Sequence, residues 1–328
     1  MDDLDGSERQ KAEAVEKIRT REAQVVFCSR ALVLVVLLIA AGSFAALTYL
    51  FVEREEQDDF RDYYESYSEE ILTVSQDNVR KVFGDLEAFS VSTTSFVLNE
   101  NSTEWPRVTL PNYEERGATA RDSSQAVIIA LLPLVQSDQE GEWEAYAQEA
   151  SAWVADSNGG GKLSPGSIHQ DIYQRHELEN GTQVIEPVTD GPFSPVWQLS
   201  PPPPLDDPSI INLDLFEKPV FKKAVTFVNY TRKAAFLDVC LQSKWFGEAM
   251  GNVSSELQTV VVEPIFKDFG ENAEIVAHYV AVIPWRTFFS DILPPNTEEI
   301  LVVMSNTCDE VFTVAVRGNN AEIISRNE

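Results

Sequence analysis

The chain has 328 residues, of which 44% are hydrophobic, and its net charge at pH 7 is −28. This charge repels polyanions, which excludes nucleic acid as a partner and disfavours anionic lipid headgroups. Only three cysteines and no internal repeat are present, which argues against a structural or adhesion ectodomain.

The first element is an uncharged apolar run over residues 31–52. It is long enough to cross a bilayer, which requires about 20 residues. A cleaved signal peptide is disfavoured because a mostly polar tail precedes the run and no small-residue cleavage site follows it. A buried core helix is disfavoured because charged clusters flank both ends. We therefore expect a cytoplasmic tail over 1–30 and a transmembrane helix over 31–52, in contact with the lipid bilayer.

Basic residues predict the orientation of this span, because positive charge resists translocation. Four basic residues closely precede the run, namely Lys17, Arg19, Arg21 and Arg30. Only two basic residues follow it at a similar distance, Arg54 and Arg61, and they lie among several acidic residues. The N-terminus is therefore predicted to be cytosolic. Residues 53–328, which carry a net charge of −27 after the −1 of residues 1–30, are predicted to lie outside the plasma membrane.

Modification sites agree with this orientation. All four glycosylation sequons follow the span, at Asn101, Asn180, Asn229 and Asn252. Cys240 and Cys308 are the two cysteines on the outer side, where an oxidising compartment favours a disulfide between them; two unpaired buried thiols are the alternative. Cys28 lies at the cytosolic edge of the span, where reversible palmitoylation is expected.

Residues 53–98 are predicted to form a helical stalk. Apolar side chains recur four and three residues apart, which is the spacing of a coiled-coil seam: Phe60, Tyr64, Tyr67, Ile71 and Val74. Asn78 takes the next seam position, and the phase then shifts to Val82, Leu86 and Phe89. The pattern favours a homodimer through the stalk helix, with a monomeric helix packed on its own domain as the alternative.

Residues 99–142 open the predicted sensor region, which covers residues 99–328. Residues 126–135 are predicted to be a buried strand or short helix, and Pro133 argues against a central strand. An aromatic helical face runs over residues 143–154 and stops at the glycines of 159–161. A proline-rich loop follows over residues 187–208.

The last third of the sequence predicts one helix and several strands. Helical periodicity covers residues 217–239, and a short helix fits residues 285–293. Four strands are predicted, over residues 259–263, 275–283, 300–304 and 311–316. The predicted fold class is α+β: a transmembrane helix that continues into a long stalk helix, then a mixed α/β sensor module.

No catalytic motif emerges from the residues. The run Gly159-Gly160-Gly161-Lys162 departs from a phosphate loop because Leu163 replaces the required Ser or Thr. The cluster of His169, Asp171, His176, Glu177 and Glu179 matches no zinc spacing. We therefore expect no catalytic, cofactor or metal residue in this chain. Trp197 and Trp285 are predicted to line a pocket or the core, and His278 is predicted to be a packed core residue.

Short motifs in a fixed order carry a resemblance to a known family. They run from the stalk nearly to the end of the sequence: Trp105-Pro106, Val108-Thr109-Leu110-Pro111, Trp143, Tyr146, Trp153, Gly191-Pro192-Phe193, Pro195-Val196-Trp197-Gln198, Ile211-Asn212, Glu263-Pro264-Ile265-Phe266, Val282-Ile283-Pro284-Trp285, Ile292-Leu293-Pro294, Asn306-Thr307-Cys308, Phe312-Thr313 and Gly318. Their order and spacing resemble the exoplasmic region of receptor-type guanylate or adenylate cyclases of diatoms.

This resemblance implies an extracellular sensor of a small, unidentified ligand, similar to CHASE-type domains and PAS-like folds. Family members continue into a second span and a cytosolic cyclase domain. The sequence shows no second apolar run after Gly318 and no cyclase domain, so no catalytic residue is carried over. It is expected to be either part of a longer receptor or a sensor-only relative. The alternative is a type II single-pass membrane protein with a lumenal enzymatic or binding domain. The Asp-x-Asp motif common in lumenal glycosyltransferases occurs only at Asp3-Leu4-Asp5, in the tail.

Overall fold

A computed structural model describes most of the chain. The described residues are 4–100, 104–164, 166–177, 183–216, 218–237, 258–289, 291–293, 297, 299–305, 311–318 and 320–327. The chain divides into two compact units, residues 1–69 and residues 70–328.

A single helix, α1 (Leu4–Asn99), covers the residues predicted as tail, span and stalk. It contains an 18-residue stretch with a mean hydropathy of 2.6, none of it buried by protein. Among the described residues, α1 is the one helix long and apolar enough to cross a membrane, by length and composition.

The second unit is built on a five-stranded antiparallel sheet with the order β4-β1-β7-β6-β5. A separate hairpin pairs β2 with β3, and a second sheet has the order β10-β9-β8. The strands are β1 (Ile128–Pro133), β2 (Tyr173–Glu177), β3 (Gln183–Pro187), β4 (Gln198–Ser200), β5 (Ala235–Phe236), β6 (Gln258–Phe266), β7 (Ile275–Pro284), β8 (Ile300–Ser305), β9 (Val311–Arg317) and β10 (Asn320–Asn327). The shorter helices are α2 (Tyr113–Ser124), α3 (Glu140–Ala150), α4 (Ala152–Ser157) and α5 (Pro219–Thr231), with 3-10 turns at Ser137–Gln139 and Trp285–Phe289.

The α+β class and the long N-terminal helix are thus confirmed, and the four strands predicted in the last third are present. The expectation that Pro133 keeps its segment out of the sheet interior is wrong, because β1 lies between β4 and β7. Proline is tolerated there since it is the last residue of β1. It pairs with Ala277 of β7 but lies beyond the three residues that pair with β4.

Two predicted helices differ in extent from the observed ones. The aromatic helical face over residues 143–154 belongs to two helices, α3 and α4, which meet at Ser151. The predicted stop is confirmed, since Gly159 and Gly160 both have a positive φ. The predicted helix over 217–239 is shorter, because Arg232 adopts a left-handed conformation and the chain turns back into strand β5. The helix predicted over 285–293 is a 3-10 turn that ends at Phe289.

The C-terminal part of α1 packs on one face of the five-stranded sheet. Leu86 is fully buried, and Phe89 stacks on Tyr279 of β7 with ring centroids 4.5 Å apart. The hydroxyls of Ser90 and Thr94 donate to the carbonyls of Pro264 and Phe266, at 2.7 and 2.8 Å. Helix and sheet are therefore joined by an apolar core and by buried hydrogen bonds.

This packing against the domain buries many of the side chains of the predicted coiled-coil seam. Ile71, Val82, Leu86 and Phe89 are all buried within residues 70–328. Asn78 donates to the carbonyl of Phe288 at 3.3 Å. For this part of α1 the alternative prediction, a helix packed on its own domain, describes the structure. The earlier seam residues Phe60 and Tyr64 are 72% and 62% exposed.

We expect truncation of the buried seam to destabilise the domain. Leu86→Ala should lower the free energy of unfolding by about 2–5 kcal/mol, because it removes buried methyl groups and leaves a cavity. Leu98→Ala is the matched control, since Leu98 lies in the same helix and is 50% exposed. Urea unfolding of the full chain in detergent micelles, followed by tryptophan fluorescence, makes the comparison, because all six tryptophans follow residue 100. Equal losses in the two variants would contradict the observed packing.

Candidate functional site

A cavity of about 430 Å³ opens between α1, α5 and the edge strand β5. We call it the α5 cavity. Its volume lies within the range of about 300–1,000 Å³ that small-molecule sites occupy. The lining residues are Phe83, Lys223, Ala224, Phe227, Ala234, Ala235, Phe236 and Leu237.

The cavity exists because α5 is amphipathic and ends abruptly. Its inner side chains Phe221, Val225 and Val228 are fully buried in the core. The helix ends where Arg232 turns left-handed, and its N–H donates to the carbonyl of Val228. The chain then reverses into β5, which lines the cavity opposite α5 and leaves its apolar wall open to solvent.

Two of the lining rings are unusually exposed for large apolar groups. Phe227 of α5 is 53% exposed and Phe236 of β5 is 41% exposed. A contiguous apolar surface that water contacts is a common property of binding sites. The α5 cavity therefore offers an occupant the gain of removing these rings from water.

Phe83 makes α1 a wall of the α5 cavity. Its ring lies 4.7 Å from the ring of Phe236, centroid to centroid. Phe236 in turn contacts Phe288 at 5.7 Å, and Trp285 contacts Phe288 at 5.5 Å and Phe312 of β9 at 6.3 Å. An unbroken series of aromatic contacts thus leads from α1, past the cavity, to the second sheet.

The charge around α5 is opposite to that of the whole chain. Residues 218–237 contain five basic and no acidic side chains, although the chain carries −28. They are Lys218, Lys222, Lys223, Arg232 and Lys233. Such a local excess of positive charge attracts anions.

Two of these five cations are engaged in the structure. Lys218 donates to the carbonyl of Arg175 at 2.9 Å, and burial, together with the nearby Arg175 charge, lowers its pKa. Arg232 lies over the ring of Phe266 at 4.7 Å and donates to the carbonyl of Ala273. Lys222 and Lys223 are exposed on α5, and Lys223 is the ionisable side chain of the cavity lining.

A buried acid lies between α1 and the sheet. Glu263 of β6 is only 7% exposed, and burial, with a further contribution from the Glu87 charge, raises its pKa to about 8. Its partner across the strands is Tyr279, whose hydroxyl lies 2.6 Å from that of Thr93 on α1. The carboxyl is therefore neutral at neutral pH, beneath the helix that the sheet holds.

The three predicted pocket or core residues lie away from the α5 cavity. Trp197 is fully buried among Trp143, Tyr146 and Trp153, at ring distances of 5.2, 5.8 and 6.1 Å. Its indole N–H donates to the Thr109 hydroxyl at 3.1 Å. This arrangement is a packed aromatic core.

His278 and Trp285 differ from Trp197 in their surroundings. His278 is fully buried on β7, where its ring lies 6.5 Å from that of Phe221. Neither ring nitrogen has a hydrogen-bond partner among the described residues, and burial lowers the pKa to about 4. Trp285 is half-buried and belongs to the aromatic series that leads to the cavity, without lining it.

The predicted modification sites fall partly within the described residues. Cys28 is exposed on α1, with a free thiol. Asn229 is exposed on α5, about 200° around the helix from Phe227, so that it points away from the cavity. The remaining predicted sites, Asn101, Asn180, Asn252, Cys240 and Cys308, lie outside the described residues.

In the acidic and histidine cluster noted in the sequence, His169, Asp171 and His176 form no metal site, and the side chain of Glu177 and the whole of Glu179 lie outside the described residues. No group of three His, Cys, Asp or Glu side chains in the described part of the chain is placed to hold a metal ion. His169 packs against Tyr173 at 4.3 Å, and His176 lies 3.8 Å from Glu186 across the β2–β3 hairpin.

Sequence reasoning missed the residues that form the cavity. Phe83 lies about 140 residues before Lys223, Phe227 and Phe236, and the four residues belong to no known motif. One signal was available, namely the twenty residues from 218 to 237 without an acid.

No family model matches the chain, and neither does any curated protein. Among solved structures, the chain is similar to the ligand-binding domain of the Campylobacter jejuni chemoreceptor Tlp3, in complex with L-norvaline. The two share 12% sequence identity at a TM-score of 0.31, and the match covers 74% of this chain and 67% of that one. At this TM-score the folds differ over much of their length, and the bound norvaline is a property of that chemoreceptor.

We expect Glu263 to make the domain less stable as pH rises. The unfolded chain releases this proton near pH 4.3, whereas the folded chain holds it to about pH 8. Between these values the folded state binds one more proton, so the free energy of unfolding falls by about 1.4 kcal/mol per pH unit. Glu263→Gln should remove this contribution and be more stable than the wild type at pH 8.5, yet similar at pH 5.

The control is Glu271→Gln, which changes an exposed carboxyl in the turn between β6 and β7. Urea unfolding of the full chain at several pH values gives the stability difference from the wild type. A Glu263→Gln difference that does not change with pH would show that the buried carboxyl is not protonated in the folded state.

Proposed function

We propose that this chain is the membrane-anchored, extracellular ligand-sensing region of a receptor-type nucleotide cyclase. Its N-terminus lies in the cytosol, its domain lies outside the plasma membrane, and it signals through a dimeric stalk helix. The sequence motifs that resemble diatom guanylate and adenylate cyclases support the assignment to this family of receptors.

One observation supports the sensory part of the proposal: α1 contains the predicted membrane span and also lines the cavity. The same helix contains the apolar residues 31–52 and contributes Phe83 to the cavity wall. A molecule in the cavity would therefore contact Phe83, which lies in the same helix as that apolar run. Signalling requires that the molecule bind two conformations of the domain with different affinity.

The sheet topology supports a PAS-like sensor. Numbered within the five-stranded sheet alone, the strands follow the order 2-1-5-4-3 and are antiparallel throughout. This is the strand order of PAS-like folds, which the sequence resemblance implies. The helix α5 lies between the second and third strands of this count, and it forms the outer wall of the cavity.

The cavity itself favours binding over catalysis. Lys223 is its ionisable side chain, and the rest of its lining is apolar. Acid–base catalysis here would rest on Lys223 alone, whereas an apolar lining with few polar groups is typical of small-molecule binding sites. The alternative of a lumenal enzyme therefore gains no support from this site.

The exposed start of the stalk supports the dimer. Phe60 and Tyr64 stack on each other at 6.4 Å, one helical turn apart, and both rings face solvent. Large apolar side chains at seam positions are typically covered by a second helix. We assign that role to the stalk of a second copy.

The dimer predicts a pattern of cross-links in membranes. In a Cys28→Ser background, Tyr64→Cys should form an intermolecular disulfide on mild oxidation, because seam positions of two parallel helices face each other. Asp62→Cys, about 200° around the helix, should cross-link at least about fivefold less. Non-reducing gels of membrane vesicles give the two yields. Equal yields, or none above the Cys28→Ser parent, would contradict a dimeric stalk.

The orientation predicts glycosylation on the domain side alone. The full chain translated with microsomes should gain endoglycosidase-sensitive mass, and Asn229→Gln should reduce that mass by one glycan, because exposed sequons in the lumen are modified. The control is Ile18→Asn, which creates the sequon Asn-Arg-Thr in the tail and should add none. A glycan at position 18, or none on the domain, would show the opposite orientation.

A further inference from the structure

We infer that the α5 cavity binds a small apolar anion, an organic molecule with an aromatic or aliphatic body and one anionic group such as a carboxylate. The inference rests on the proposed sensory function for its biological purpose, while the binding itself can be tested separately.

The body of the ligand follows from the shape and lining of the cavity. Three aromatic rings, Phe83, Phe227 and Phe236, come from three different elements and converge on one space of about 430 Å³. The three alanines of the lining, at 224, 234 and 235, leave room between the rings. Flat apolar bodies fill such a space, since they contact rings by their faces and edges.

The charge of the ligand follows from Lys223. It is the ionisable group that lines the cavity, and it lies within the twenty-residue segment of five cations and no acids. A chain with a net charge of −28 repels anions over most of its surface, so a local reversal of sign concentrates them here. A cation at the edge of an apolar site pairs with an anionic head while the apolar body stays buried.

The neighbouring Lys222 provides an internal control. It is exposed on the same helix, about 100° around the axis from Lys223, and it is not part of the cavity lining. If general electrostatic attraction explained anion binding, both lysines would contribute to it equally. At a specific site, Lys223 contributes and Lys222 does not.

The test uses two probes that differ in charge alone, naphthalene-2-carboxylate and its neutral amide, naphthalene-2-carboxamide. Equilibrium dialysis of the full chain in lipid nanodiscs, with empty nanodiscs as the blank, measures binding of each probe. We expect saturable one-site binding of the carboxylate. Lys223→Gln should weaken carboxylate binding about tenfold and change amide binding by less than about twofold, because only the charged contact is lost. Lys222→Gln should leave both unchanged.

A second variant tests the location. Ala234→Trp places a large ring in the cavity at a residue outside α5 and β5, and it should weaken both probes at least about tenfold. Phe227→Ala serves the same purpose if the far-UV circular dichroism of Ala234→Trp differs from that of the wild type, since Phe227 is half exposed and its loss costs the core little.

Three results would overturn the inference: no saturable carboxylate binding above empty nanodiscs, equal losses in Lys222→Gln and Lys223→Gln, or full binding in the cavity-filled variant. Sensing is read separately, from the Tyr64→Cys cross-link yield with and without the carboxylate. Binding that leaves this yield unchanged would argue against signalling through the stalk while leaving the site intact. A site that fails to bind leaves the stalk dimer and the orientation to be judged by their own experiments.

Discussion

The structure depends on the contact between the C-terminal part of α1 and the five-stranded sheet. Leu86 and Phe89 fill the apolar interface, and the hydroxyls of Ser90 and Thr94 donate to the carbonyls of Pro264 and Phe266 in β6. This contact fixes Phe83 next to β5 and thereby creates the inner wall of the α5 cavity. It also holds Glu263 away from water, which is why this carboxyl keeps its proton to unusually high pH.

The two faces of the sheet have different roles. The face opposite α1 is closed by a dense core in which Trp197 meets Trp143 and Trp153, while His278 packs beside Phe221 of α5, where burial lowers its pKa. A core packed in this way has few voids and resists rearrangement. At the β5 edge, by contrast, the two-residue strand pairs with β6 on one side alone, and α5 stops short of covering it. Apolar surface, positive charge and contact with α1 coincide at this edge.

Long, strongly patterned segments could be predicted from the sequence. The long N-terminal helix and the strands β6 and β7 each have many residues with one periodicity, so local and tertiary preferences agree. The short strands β4 and β5 could not be predicted, because two or three residues carry no periodicity. Residues 234–237 also continue the helical pattern of α5, and only pairing of Ala235 and Phe236 with β6 decides against the helix. The cavity is a tertiary feature, since it brings Phe83 to residues about 140 positions later in the chain.

The two hydroxyl bonds between α1 and β6 constrain how the domain can move. Ser90 and Thr94 are one helical turn apart, a rise of about 6 Å, and their acceptors are two residues apart on the strand, about 6.6 Å. The helix therefore runs alongside β6 in register with it, and sliding along the strand would break both bonds together. Small displacements must then move the C-terminal part of α1 and the sheet together. Of the elements that line the cavity, α5 is therefore the one that an occupant would displace, relative to the C-terminal part of α1 and the sheet.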